Sequence, residues 1–203
     1  MDLYIIDFDK QFQKYLRQWL RTHKDEFQSA DEVEARVPDL YEAWLNQPAS
    51  WLEGETPNRY FYRYEQPEAL VQALLRYLAV GVGAPDPLLD RLSAFGKQLE
   101  PHLMAVLRGQ TPLPKDLDEE EAMMVMLGLL QEIGSAPLDD YLRLILDSPE
   151  GGAVAEAAGE ALKNLGEEAV VEPALAAMET AGPAAQDCLL DVLANFPGDK
   201  RIY

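Results

Sequence analysis

An all-α fold, in which pairs of helices stack into a short right-handed superhelix (an α-solenoid) behind an N-terminal helical cap, is the architecture this sequence predicts. Three observations point there. Gly134, Gly166 and Gly198 stand at an even pitch of 32 residues, each closing a helix-like apolar stretch. The text around them repeats: Leu129-Leu130-Gln131-Glu132-Ile133-Gly134 is echoed by Ala161-Leu162-Lys163-Asn164-Leu165-Gly166, and more loosely by Leu193-Ala194-Asn195-Phe196-Pro197-Gly198. Apolar residues recur at three- and four-residue steps along most of the chain, and alternating, strand-like runs are scarce. Repeats of this length are helix pairs that bury a continuous core only by stacking. The expected organisation is an N-terminal helical segment over residues 1–65 and helical repeats over 66–203, the last of them incomplete.

The elements follow in order. Phe8, Phe12, Tyr15, Leu16, Trp19 and Leu20 form one stripe of an amphipathic helix over about 9–24. Val33, Val37, Leu40, Tyr41, Trp44 and Leu45 form a second. Pro38 lies inside that pattern and clashes with the carbonyl four residues back, so the expectation is a kink or a fresh start near Asp39. Thr56-Pro57, Gln66-Pro67 and Asp86-Pro87 each set proline where its fixed φ and missing donor suit a first helical turn, the longest of these helices covering about 67–81.

Repeat-like pairs take over from Leu88: 88–95 closed by Gly96, then 97–108, and a linker from Gly109 to Leu117. Asp118 precedes Glu121 by three residues, an aspartate cap on a helix running to Ile133. That helix is almost wholly apolar, which predicts neighbours on most of its sides. Helices over about 137–147, 153–165, 168–180 and 184–196 complete the pattern. Gly198-Asp199-Lys200-Arg201-Ile202-Tyr203 then starts what should be another helix, capped by Asp199, and stops. The expectation is an array cut within a repeat, or an open end that docks on a second copy as a homo-dimer.

Gly166-Glu167-Glu168-Ala169-Val170-Val171-Glu172-Pro173-Ala174-Leu175, with Ala153-Val154-Ala155-Glu156-Ala157-Ala158-Gly159-Glu160-Ala161-Leu162, resembles the short HEAT repeats related to those of phycocyanobilin lyases. The resemblance covers about residues 88–203. Where the family commonly has arginine, this chain has Ala155 and Gln186, so the Asp-to-Arg ladder that the resemblance would imply is missing and apolar packing must carry more of the stack.

Charge narrows the function. The net charge is −19, with 11 basic and 17 acidic side chains over residues 1–100 and 6 and 19 over residues 101–203. Such a surface repels nucleic acid and anionic lipid and attracts a cationic protein. No run of about 18 apolar residues exists to cross a bilayer. The start, Met1-Asp2-Leu3-Tyr4, lacks the basic residues of a secretory signal, so the expected location is the cytoplasm. One cysteine, Cys188, rules out a disulfide framework, and it aligns with Ala157 as a small packing position. His23 and His102 stand far apart with no partner at metal-ligand spacing, and no catalytic motif, metal site or cofactor loop is legible.

Two features point to binding. Glu156, Glu160 and Asn164 align with Asp187, Asp191 and Asn195, and four-residue steps put each trio on one helix face, an acidic panel suited to a basic peptide or protein. Arg59, Tyr60 and Tyr62 lie in a run dense in arginine and aromatic residues, the types enriched at interface centres. The expected function is a non-catalytic scaffold for protein–protein interaction. Two alternatives accompany it. The HEAT resemblance implies a chromophore-lyase-like enzyme. Ala43-Trp44-Leu45-Asn46-Gln47-Pro48 with Leu52-Glu53-Gly54-Glu55-Thr56-Pro57 is similar to the toxin-binding region of certain bacterial antitoxins.

Overall fold

Residues 5–27, 29–135, 137–148 and 150–198 are described by a computed structural model; the cap expected at Asp199 and the open end it would begin lie outside them. Helices account for all the regular structure among these residues, with no strand. The chain divides into two compact units, one of residues 1–95 with 114–116 and the other of 96–113 with 117–203.

The first unit holds α1 (Phe8–His23), α2 (Ala30–Leu45), a 3-10 segment over Pro57–Arg63, α3 (Pro67–Ala79) and α4 (Asp86–Ser93). Asp7 caps α1 by accepting from the Lys10 amide at 2.8 Å, and Ser29 caps α2 through the Glu32 amide at 3.3 Å. The Phe8 ring is the centre of the core. It is met edge-on by Trp51 at 5.7 Å and Trp44 at 6.4 Å and stacked by Phe61 at 5.7 Å, geometries that suit the ring quadrupoles. Phe61 in turn meets Tyr77 of α3 at 6.4 Å, and the Tyr77 hydroxyl donates to the Ile6 carbonyl at 2.9 Å. These contacts, with fully buried Leu70, Leu74, Leu88 and Leu92, carry the unit past the boundary expected at 65/66, which falls inside it.

The second unit holds α5 (Glu100–Leu107), α6 (Glu119–Glu132), α7 (Leu138–Leu146), α8 (Ala153–Lys163), α9 (Glu167–Met178) and α10 (Pro183–Ala194). Neighbours in sequence pair as α5 with α6, α7 with α8 and α9 with α10; α6, α8 and α10 also lie side by side in that order, as do α7 and α9. Met126, Leu130, Ile145, Leu162, Val170, Val171 and Leu189 are fully buried in the core between them. Polar links join elements about one repeat apart: Arg108 grips Asp140 through Nε at 2.9 Å and Nη2 at 2.7 Å, and buried Ser135 donates to Glu100 at 2.6 Å.

Three expectations are corrected here. Pro38 does not restart α2, which runs through it as one helix, and Pro173 sits inside α9 in the same way. In both cases the carbonyl that loses its donor belongs to an exposed residue, Glu34 or Ala169, where water can satisfy it. Second, α6 is not enclosed on most sides: Glu121, Met124, Gly128 and Gln131 form an exposed stripe, with Met124 37% exposed. Third, the evenly pitched glycines do different work. Gly134 takes the left-handed conformation after α6 (φ +64°), whereas Gly166 is extended (φ −67°, ψ 148°) and caps the start of α9.

Candidate functional site

The acidic panel forms where α8 and α10 approach closely. Gly159 makes the approach possible: a Cβ there would stand 3.0 Å from Cys188 Sγ and 3.4 Å from Val192 Cγ2. Glu156 and Glu160 lie one turn apart on α8, and Asp187 and Asp191 one turn apart on α10. With Glu150 from the preceding turn, they line a groove of about 500 Å³ whose floor includes Cys188.

One cation is built into the panel. Lys163 Nζ lies 2.6 Å from Glu160 and 2.5 Å from Asp191, bridging the two helices. The hydrogen bonds to Asp191 and then Glu160 hold its ammonium pKa above the ordinary lysine value. Both carboxylates remain largely open to water, so the bridge adds little stability. Five carboxylates against one ammonium leave the groove strongly negative.

The two asparagines of the panel serve the backbone. Asn164 Nδ2 donates to the Glu160 carbonyl at 3.0 Å, and Asn195 Nδ2 donates to the Lys163 carbonyl at 3.2 Å, tying the end of α10 to the end of α8. Cys188 is half-buried and its Sγ donates to the Ala155 carbonyl at 3.5 Å. Burial, then the nearby Asp191 carboxylate, pushes its thiol pKa up, away from the thiolate a nucleophile needs.

A second concavity of about 390 Å³ adjoins the first and shares Gly151 and Gly152 with it. Leu107, Met123, Leu144 and Val154 give it an apolar floor, and Glu119, Glu120 and Asp147 stand at its rim. Arg143, also in the lining, lies 3.8 Å from Asp147. Gly152 has φ +116°, a conformation that side chains rarely adopt, which keeps the shared wall bare.

The three sites expected on the first unit divide. Tyr60 is buried against Phe8 and Phe61, with the Arg63 guanidinium over its ring at 4.1 Å, so it is part of the core. Tyr62 is 54% exposed and Arg59 is exposed. The Arg91 guanidinium stacks between Tyr62 at 4.8 Å and Phe95 at 4.3 Å. In the antitoxin-like stretch, Trp44 and Leu52 are both buried in the core.

Sequence reading found the four carboxylates and missed Lys163, Glu150 and the apolar concavity. The i,i+3 step from Glu160 to Lys163 was visible; the partner across at Asp191 depends on helix spacing, which no local pattern encodes. Among the described residues no cluster of His, Cys, Asp and Glu is placed to hold a metal ion, and no helix is long and apolar enough to cross a membrane. No protein-family model, curated protein or solved structure matches the chain.

Proposed function

We propose that the second unit is a non-catalytic protein-binding scaffold, a short HEAT-like solenoid whose groove between α8 and α10 receives a basic segment of a partner protein in the cytoplasm. The observation that carries this reading is the convergence of Glu150, Glu156, Glu160, Asp187 and Asp191 on one groove, with Lys163, which bridges Glu160 and Asp191, already paired. Two links support stacking of like units: Arg108 to Asp140 and Asn195 to Lys163 each join residues 32 apart, the pitch of the sequence repeat. Paired helices whose members also line up side by side are what such an array requires.

The test is calorimetric titration with a synthetic oligolysine peptide. Binding should weaken as salt rises, because exposed charges are screened over about 10 Å at 0.1 M salt. Replacing Glu156 and Glu160 by glutamine and Asp187 and Asp191 by asparagine should lower affinity about tenfold or more, since four attractive charges are lost. Unchanged affinity in that variant refutes the reading.

A further inference from the structure

The two concavities of the second unit differ in chemistry and share a wall. The α8/α10 groove is acidic, whereas the neighbouring one has the apolar floor of Leu107, Met123, Leu144 and Val154 beneath an acidic rim. Gly151 and Gly152 line both of them, so at these two positions the shared wall carries no side chain of its own. We infer that they form one track, and that its occupant is an amphipathic basic segment of a partner protein, with an apolar anchor over Leu144 and Val154 and lysine or arginine side chains running on between α8 and α10.

This deepens the proposed function and rests on it. Charge complementarity selects the occupant. Glu119, Glu120 and Asp147 continue the negative bank past the glycines, while Arg143 in the lining and Lys163 beside it already face carboxylates of their own chain. A purely apolar ligand would leave that rim unmatched. A second copy of this chain, at a net charge of −19, would bring like charge against it.

Two labelled synthetic peptides of equal length and charge, one repeating Lys-Leu-Leu-Lys and the other Lys-Ser-Ser-Lys, separate the track from the acidic groove alone by fluorescence anisotropy. The leucine peptide should bind the native chain about tenfold more tightly, as expected for one well-seated apolar side chain. Met123→Gln with Val154→Asn should abolish that advantage and leave the serine peptide within about twofold, because only the floor is altered. Val154→Ala, which trims the floor without adding a polar group, should cost the leucine peptide about threefold and covers the case in which the double variant fails to fold.

Equal binding of both peptides to the native chain overturns the track while leaving the acidic groove standing, as does a leucine advantage that survives the floor variants. Failure of both peptides to bind overturns the track and the proposed function together. A dimer in sedimentation at the same concentrations, dispersed by the floor variants, assigns the track to a second copy and overturns the partner named here.

Discussion

Replacing Gly159 by alanine probes the contact that brings the α8 and α10 carboxylates together, and two opposing terms set the result. In a helix interior alanine is favoured over glycine by about 1 kcal/mol. Against this, the new methyl group would lie 3.0 Å from Cys188 Sγ and 3.4 Å from Val192 Cγ2. Inserting a methyl group into a packed interface costs about 1–3 kcal/mol. Sγ is also held by its hydrogen bond to the Ala155 carbonyl, so it yields poorly. Gly159→Ala should therefore destabilise the chain by about 1 kcal/mol, a shift of about 2–4 °C in Tm for a chain of this size. Cys188→Ala removes the nearer obstacle, and in that background Gly159→Ala should be neutral or stabilising by up to about 1 kcal/mol. Urea unfolding of all four proteins, followed by far-UV circular dichroism, should give a coupling energy of about 1–2 kcal/mol, well outside the scatter of independent sites. If Gly159→Ala has the same effect in both backgrounds, the helices are not held apart by Cys188 and the reasoning fails.

Other perturbations should behave as follows. Asp118→Ala deletes the side chain that accepts from the Glu121 amide at 2.9 Å and should cost about 1 kcal/mol in urea unfolding, whereas Asp118→Asn should cost far less. Burial pushes the Tyr141 phenol from 10.0 up to about 12, so between those values the unfolded chain releases a proton that the folded chain keeps. The stability present below pH 10 is thus lost as pH rises to about 12, by up to about 3 kcal/mol, and Tyr141→Phe should flatten that part of the stability profile. Asp191→Asn removes a charge that helps hold the Cys188 thiol protonated, so iodoacetamide alkylation of Cys188 should set in at lower pH than in the native chain. An unchanged alkylation profile would show that burial alone sets the thiol.

Local rules located most of the helices. The proline at 67 sits in the first turn of α3, where its missing donor costs nothing, and Asp118 caps α6 as its spacing to Glu121 required. The same rules allowed a fresh start after Pro38 that the helix does not make, because the cost of a proline inside a helix depends on whether water reaches the carbonyl it abandons, and exposure belongs to the folded molecule. They misread α6 for a related reason: an apolar side chain such as Met124 states what a position tolerates, and whether a neighbour covers it is decided elsewhere. The run at Arg59, Tyr60 and Tyr62 divided into core and surface because a 3-10 turn points adjacent residues in different directions.

For the candidate site, the four-residue steps Glu156 to Glu160 and Asp187 to Asp191 were enough to align each pair on one helix face, since that follows from 3.6 residues per turn. The sequence by itself thus determined an all-α chain, the starts of its helices, its negative charge and two acidic stripes. Only the tertiary structure decided that the stripes share a groove, that Gly159 lets their helices close, that Lys163 bridges them, and that an apolar hollow opens beside them across Gly151 and Gly152. Helix formation and capping act over three or four residues and leave their mark in the local text. Those tertiary features depend on distances between residues about thirty positions apart, which packing sets and no local pattern records.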